Sequence, residues 1–382
     1  MYAADVVVIG SGPAGSSTAN IVARAGYNVL LVEKDEYPGK SNVCGGGMSE
    51  QLADKLKLPD EIVEKRIPYE VKYFPWGVYE NRQRHVSILR NKFDRYLAER
   101  AVKNGSKLLS STKAVDVKRA DGRIVVYSSN KNISPISSNL VIFADGVNTL
   151  AKKFGIGFKR NKNNTALGLA YEIEWKENTL DHYEIFYDKN ISKWGYGWIF
   201  PKKDMLNIGV GGLISKIGGN IKDIMNYFMK CPAVSTKIQG GKILSKKAAL
   251  IPLAPAREIH DQSMLVAGDA AGMVYPFFGA GIENAIVAGE IAGKVAVRAL
   301  EENDFSQLFL SAYKRQWEKT GNYALMKRQS TMSKFLLPLS NLDAYILQKF
   351  MNIFYINDVS VNEKMRIALY PLFREKNGGN CK

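Results

Sequence analysis

Cysteine is scarce in this chain. Three occur in 382 residues, Cys44, Cys231 and Cys381, with long stretches between them. They make no CxxC pair, and they cannot supply the four thiolates an iron–sulfur cluster usually takes. The same scarcity points to a reducing, cytoplasmic setting. Histidine is as rare. His85, His182 and His260 lack metal-ligand spacing such as HExxH, so they are assigned to surface or structural roles and no metal is expected. No apolar run reaches the ~18–20 residues of a membrane span. The N-terminus lacks a basic region followed by an apolar stretch, so no leader is expected. Internal repeats and low-complexity linkers are missing too. Acidic residues are outnumbered, 37 against 53 basic, which leaves a net charge of +16. Such a charge favours anionic partners. The Lys and Arg residues are scattered and no nucleic-acid motif appears, so a nucleic-acid role is not expected.

Glycine is plentiful and ordered. Residues 5–9, DVVVI, form a β-branched run typical of a buried parallel strand. Gly10-Ser-Gly12-Pro-Ala14-Gly15 follows, then a helix-compatible stretch to about Ala25 and a second strand ending at Glu33. This is the dinucleotide-binding order. Gly10 serves the tight turn, Gly12 the approach of a pyrophosphate, and Gly15 the packing of helix on strand. The helix opening at Ala14 faces the phosphates, and Glu33 accepts from the ribose. Two later corners repeat the theme: NLVIFADG (139–146) and MLVAGDAAG (264–272). The second leads through PFFGAGIENA into a helix rich in small residues. Asp269 is placed to bind a ribityl hydroxyl. Gly279 and Gly281 let the helix that opens at Ile282 start against a flavin ring, where its positive end favours the reduced anion.

The order GxGxxG…E, RxxFD, ADG, GD resembles the FAD-binding fold of the para-hydroxybenzoate hydroxylase superfamily. RNKFD (90–94) fits the RxxFD element, which makes Arg90 a cofactor contact. KAVDV (113–117) resembles the element whose backbone meets the adenine, near Val115. Thr149 and Lys152 stand where the family often has Ser and Arg, and Lys152 lacks the planar fork of arginine.

Two further segments resemble the geranylgeranyl reductases. CGGGMS (44–49) fits their CGxG(L/M)S loop, and Tyr196-Gly-Trp198-Ile-Phe200-Pro201 fits their YxWxFP motif. The resemblance covers about residues 1–300. It implies an FAD-dependent reductase that adds two hydrogens to prenyl double bonds of geranylgeranyl chains in a glycerophospholipid or its precursor. It also implies that Cys44, Gly45 and Gly47 lie by the flavin, so that the loop's bare backbone serves the cofactor. Cys44 and Tyr196 are candidate proton donors, beside water. Trp194, Tyr196, Trp198 and Phe200 alternate and would share one strand face, a lining for a prenyl chain that favours developing positive charge. The alternative is an aromatic monooxygenase of the same superfamily; a halogenase would need WxWxIP. An electron carrier would need a cysteine-rich cluster. The electron donor stays open among NADPH, reduced deazaflavin and ferredoxin.

The expected fold is α/β: a Rossmann-like FAD-binding domain from 1–68, 86–165 and 252–300, an antiparallel-sheet substrate domain from 69–85 and 166–251, and a helical C-terminal region, 301–382. A short helix is expected over 218–231, ending before Pro232. A helix from Asn341 would line up Leu342, Ile346, Phe350 and Ile353 as a packing stripe or a surface for a membrane. Cytoplasmic residence with peripheral contact at the membrane's inner face fits the charge and the missing span. The polar tail, REKNGGNCK, is expected to be mobile.

Overall fold

The computed structural model describes residues 2–41, 43–175, 179–356 and 359–370. Two compact units emerge. The first comprises Met1–Asn42, Arg90–Asn164 and Ile251–Thr331, and the second Val43–Leu89, Thr165–Leu250 and Met332–Lys382. These bounds differ from those expected chiefly at residues 43–68, at residues 86–89, which join the second unit, and in the C-terminal region, which divides after Thr331. Residues 43–68 join the second unit because Gly47–Ser49 and Val63–Ile67 pair with His85–Ile88 in a small sheet of their own. Residues 301–331 join the first unit, where Leu310, Tyr313 and Trp317 are buried in its core.

The first unit is built on the strand Tyr2–Ile9, whose VVVI stretch is buried throughout. Full burial on both faces is what a continuous β-branched run requires. This strand pairs in parallel with Val29–Val32 on one side and Ile136–Phe143 on the other. Met264–Val266 adds in parallel beyond the latter. The helices Pro13–Arg24 and Ile282–Glu301 pack together. Thr18 Oγ1 donates to the Gly289 carbonyl at 3.0 Å. The expected α/β architecture is present.

The second unit carries a seven-stranded sheet among the described residues, with Gly195–Pro201 between Met205–Leu213 and Tyr183–Phe186. It is not wholly antiparallel as expected: Tyr183–Phe186 runs parallel to Glu70–Phe74. One face is covered by the helix Ile221–Lys230 and its successor Pro232–Ile238, whose Met225, Phe228 and Val234 pack with Ile199, Ile208 and Val210. Proline at the first position begins that successor rather than merely ending the helix before it.

The C-terminal helices depart from the expected stripe. Pro338 lies inside the last turn of Gly321–Leu339, and the next helix starts only at Ile346. Leu342 is 88% exposed in the intervening turn. The buried residues of Ile346–Tyr355 are Leu347, Gln348, Lys349, Met351 and Asn352. Residues 374–382, the tail, fall outside the described residues.

Candidate functional site

In the first unit, the predicted cofactor residues gather at the carboxyl ends of the parallel strands. Gly10 has φ +98°, and a Cβ there would lie 2.3 Å from the Ala144 carbonyl oxygen. A Cβ on Gly15 would stand 1.9 Å from the Gly10 carbonyl oxygen. Those two glycines are therefore demanded by the chain itself. Gly12 is different: a Cβ there would meet nothing within 4 Å. It caps the helix Pro13–Arg24 with no side-chain hydrogen bond, leaving the first N–H groups to an outside acceptor.

Glu33 ends the second strand and is pinned. Its Oε2 accepts from the Ser11 N–H at 3.0 Å and from Ser11 Oγ, and its Oε1 accepts from the Asp35 N–H at 2.9 Å. Asp145, at the Gly10 turn, is half-buried. Its Oδ2 accepts from the Leu150 N–H at 2.7 Å while Oδ1 has no partner among the described residues. Burial pushes its carboxyl up. Asp269 is brought beside the second helix start: a Cβ on Gly281 would lie 3.4 Å from its Oδ1. Ala14 sits against Gly268, and Ile282 opens the helix after the uncapped Gly281. Gly279 turns the chain there with φ +65°. Burial raises the Asp269 carboxyl, and Arg90 opposes the rise.

Arg90 itself is gripped by Asp94, Nε to Oδ1 at 2.8 Å and Nη2 to Oδ2 at 2.9 Å. The RxxFD spacing thus makes an i,i+4 fork around a fully buried Asp94. Thr149 caps the short turn after the ADG segment, accepting from the Ala151 N–H at 3.0 Å, and Lys152 is exposed. Val115 stands apart. It is 49% exposed at a bulge where the register passes from Tyr127↔Asp116 to Ser128↔Ala114. The bulge leaves its backbone out of the pairing. Two uncapped helix starts, open space at Gly12 and an orphaned carboxylate oxygen fit a large polar cofactor with phosphates and hydroxyls.

In the second unit, the strand Gly195–Pro201 turns Tyr196, Trp198 and Phe200 to one face, all half-buried. Trp194 does not join them. It precedes the strand and is buried. Rings from elsewhere in the unit pack against the face. Tyr183 stacks on Phe200 with centroids 4.1 Å apart, and Tyr187 meets Tyr196 edge-on at 5.8 Å. Phe74 stacks on Tyr187 at 4.5 Å and on Trp76 at 5.2 Å, and Trp76 meets Tyr345. The neighbouring strand makes room. Trp198 lies opposite Gly209 in register, and a Cβ there would stand 2.0 Å from its indole. Trp198 Nε1 donates to Asn207 Oδ1 at 2.9 Å, and Asn207 Nδ2 donates to the Cys44 carbonyl at 3.4 Å. The indole and the cysteine loop are therefore tied through one amide.

The glycines of that loop have causes within the chain. A Cβ on Gly45 would press Phe200 at 2.7 Å, and one on Gly47 would meet Tyr183 at 3.1 Å. Gly46 has φ +75°, with the Ile88 carbonyl oxygen 2.2 Å from its would-be Cβ. The expectation that the bare backbone serves the cofactor is thus not needed to explain it; the chain's own side chains press on it. The Gly46 N–H donates to Cys44 Sγ at 3.3 Å.

Beneath the loop lies Lys202, 1% exposed. Its Nζ donates to the Gly45 carbonyl at 3.0 Å and the Ile88 carbonyl at 2.6 Å. Burial pulls the ammonium down to about 8. Sequence reading missed it, although period-2 alternation carries the face from Phe200 to Lys202. It also missed a buried ion pair, Lys72 Nζ to Glu70 Oε1 at 2.7 Å. Burial pushes the Glu70 carboxyl up, but Lys72 and Asn81 hold it below the usual range. The stretch YEVKYF places Glu70, Lys72 and Phe74 on one side, which was the available signal. Burial raises Tyr183 and Tyr196 well above the ordinary phenol value, so both keep their protons at neutral pH.

Set beside known proteins, residues 3–187 match an FAD binding domain and residues 165–251 a geranylgeranyl reductase catalytic domain. The protein is an FAD-dependent oxidoreductase. The digeranylgeranylglycerophospholipid reductase of Methanocaldococcus jannaschii is 30% identical over 349 residues, covering 88% of each chain. Protein FixC of Escherichia coli O157:H7 is 29% identical, over 87% of this chain and 85% of its own. A geranylgeranyl bacteriochlorophyll reductase-like structure from Thermoplasma acidophilum superposes with a TM-score of 0.82 at 23% identity, over 97% of this chain and 96% of that one. This chain belongs to the geranylgeranyl reductase family of flavoproteins.

Proposed function

We propose that the protein reduces the prenyl double bonds of geranylgeranyl chains carried by a glycerophospholipid or its precursor. The observation that carries this reading is the ring face of Tyr196, Trp198 and Phe200, closed by the Cys44 loop, in the segment that matches a geranylgeranyl reductase catalytic domain. FAD, when bound and reduced, supplies the hydride. The residues of the first unit would hold it: Gly10, Gly12 and Gly15 at the phosphates, Glu33 at a ribose, Arg90, Asp269, Gly279 and Gly281 around the flavin, and the Val115 backbone at the adenine.

The second unit supplies what the alkene needs. An isolated trisubstituted double bond must gain a proton on one carbon and a hydride on the other; protonation leads, so positive charge builds on the more substituted carbon until the hydride reaches it. The rings shield that charge from water and attract it through their faces. Cys44 or a water supplies the proton. Tyr196 is the weaker candidate, since burial makes its phenol a poorer acid. Trp198, fixed by Asn207, sets the depth at which the chain lies.

Contact with a lipid surface belongs to the same reading. No helix among the described residues is long and apolar enough to cross a membrane. Yet Phe335, Leu342, Phe354, Val361, Met365 and Leu369 are all exposed within one C-terminal stretch, and the chain carries +16. Those features support docking on anionic lipid.

The decisive assay is anaerobic. Dithionite-reduced protein is mixed with digeranylgeranylglyceryl phosphate and the lipid mass is followed. Gain of hydrogen pairs is expected. An unchanged mass with FAD bound and reduced would sink the proposal.

A further inference from the structure

The helix Ile346–Tyr355 buries polar residues beside apolar Leu347 and Met351. Its apolar Phe354 is 68% exposed, while Gln348 and Asn352 are fully buried. These two amides stand one turn apart on one face of the helix. Gln348 Oε1, Asn352 Oδ1 and Asn352 Nδ2 have no hydrogen-bond partner among the described residues. Leaving a buried polar group unmatched costs about 1–3 kcal/mol each. Packing leaves few such groups without a reason, and here three share one helical turn.

Their position supplies the reason. Gln348 Nε2 reaches the Gly195 carbonyl at 3.5 Å, the first residue of the ring strand. Tyr345, which caps the same helix, closes the ladder that runs through Trp76, Phe74 and Tyr187 to Tyr196. Gln348 therefore lies at one end of the ring strand, with Asn352 one turn further along the same helix face. The Cys44 loop lies at the other end of the strand, against Phe200. Phe200 lies five residue steps along the strand from Gly195, about 17 Å at the usual rise.

Building on the proposed function, we infer that Gln348 and Asn352 form a binding site for the uncharged oxygens, hydroxyl or ether, at the glycerol end of the prenyl lipid. The site fixes the direction of the substrate. The oxygenated end sits at the helix Ile346–Tyr355, and the hydrocarbon runs along Tyr196 and Trp198 toward the cysteine loop. Neutral amides suit neutral oxygens: they offer both donor and acceptor and place no unpaired charge beside the rings.

The test is binding, read without turnover. FAD-loaded wild type, Gln348→Met and Asn352→Leu are titrated with digeranylgeranylglyceryl phosphate and, separately, with the oxygen-free C20 tetraene hydrocarbon. Tryptophan fluorescence gives the affinity, and thermal melts are run in parallel. The expected result is that each variant binds the glycerol lipid about tenfold more weakly, the worth of one hydrogen bond. Each should bind the hydrocarbon as wild type does, and melt no lower. Equal lipid affinity in all three proteins would overturn the inference. So would a lower melting temperature with both ligands lost, which marks a structural role. Wild type that binds neither ligand would bring down the proposed function, and this inference with it.

Discussion

Replacing Lys202 with methionine isolates what a buried ammonium does to the glycine loop. Burial lowers its pKa from the ordinary 10.5 to about 8. The unfolded chain keeps that proton up to the ordinary value. Between the two values the unfolded state binds more protons, so stability rises with pH across that window. Below about pH 8 the folded protein bears the whole burial cost, on the order of 3 kcal/mol. Methionine preserves length and volume and removes that cost. It also takes a donor from the carbonyls of Gly45 and Ile88, at about 1–3 kcal/mol each. At pH 7 the two effects are of similar size, and the variant should lie within about 2 kcal/mol of wild type. By pH 9 the wild type has recovered roughly 1 kcal/mol that the variant cannot. The measurement is urea unfolding of both FAD-loaded proteins at pH 7 and pH 9, followed by tryptophan fluorescence. Wild-type stability that rises relative to the variant between pH 7 and pH 9 supports a charged, burial-strained lysine. A difference that stays constant, or moves toward the variant, refutes the reasoning.

Further expectations separate the two units. Gly12→Ala should leave the melting temperature of the FAD-free protein unchanged and lower the FAD content, because only an outside group meets that Cβ; retained FAD would count against the phosphate role. Gly15→Ala should instead destabilise the fold by on the order of 3 kcal/mol, since the clash is with backbone, and a normal melt would contradict the packing described. Cys44→Ser keeps an acceptor for the Gly46 N–H, so FAD content should hold while double-bond reduction slows sharply; stopped-flow traces identical to wild type would remove Cys44 from the chemistry. Sedimentation with vesicles containing phosphatidylglycerol should carry the protein down at low salt, and Phe354→Ser with Met365→Ser should weaken this. Equal sedimentation of wild type and variant would move the lipid contact elsewhere.

Much of the first unit was legible because its constraints are local. VVVI, the glycine turn and the acid after the next strand lie within about thirty residues of one another, and each names its own backbone role. The second unit was legible only in part. Tyr196, Trp198 and Phe200 followed from period-2 alternation, yet Trp194 failed the same rule because the strand begins one residue after it. Tyr183, Tyr187 and Phe74 complete the face from two other strands, and a parallel pairing between those strands is invisible to local pattern. Lys202 and the Glu70–Lys72 pair carry charge, and charge in sequence reads as surface. Gln348, Lys349 and Asn352 fall outside the expected stripe of Leu342, Ile346, Phe350 and Ile353. They share the inward side of the helix with Leu347 and Met351, while Phe354 faces outward.

The glycines of the strand Met205–Leu213 give the ring face an adjustable floor. The Trp198 indole occupies the space a side chain at Gly209 would need, so its depth is set by bare backbone. A methyl group at position 209 would lift the indole, stretch its bond to Asn207 and so tug on the carbonyl that holds the cysteine loop. On the proposed function, substrate fit and loop geometry are coupled through this one strand position. Changes at 209 would tune how thick a chain is admitted, and they would do so without altering any residue that touches it.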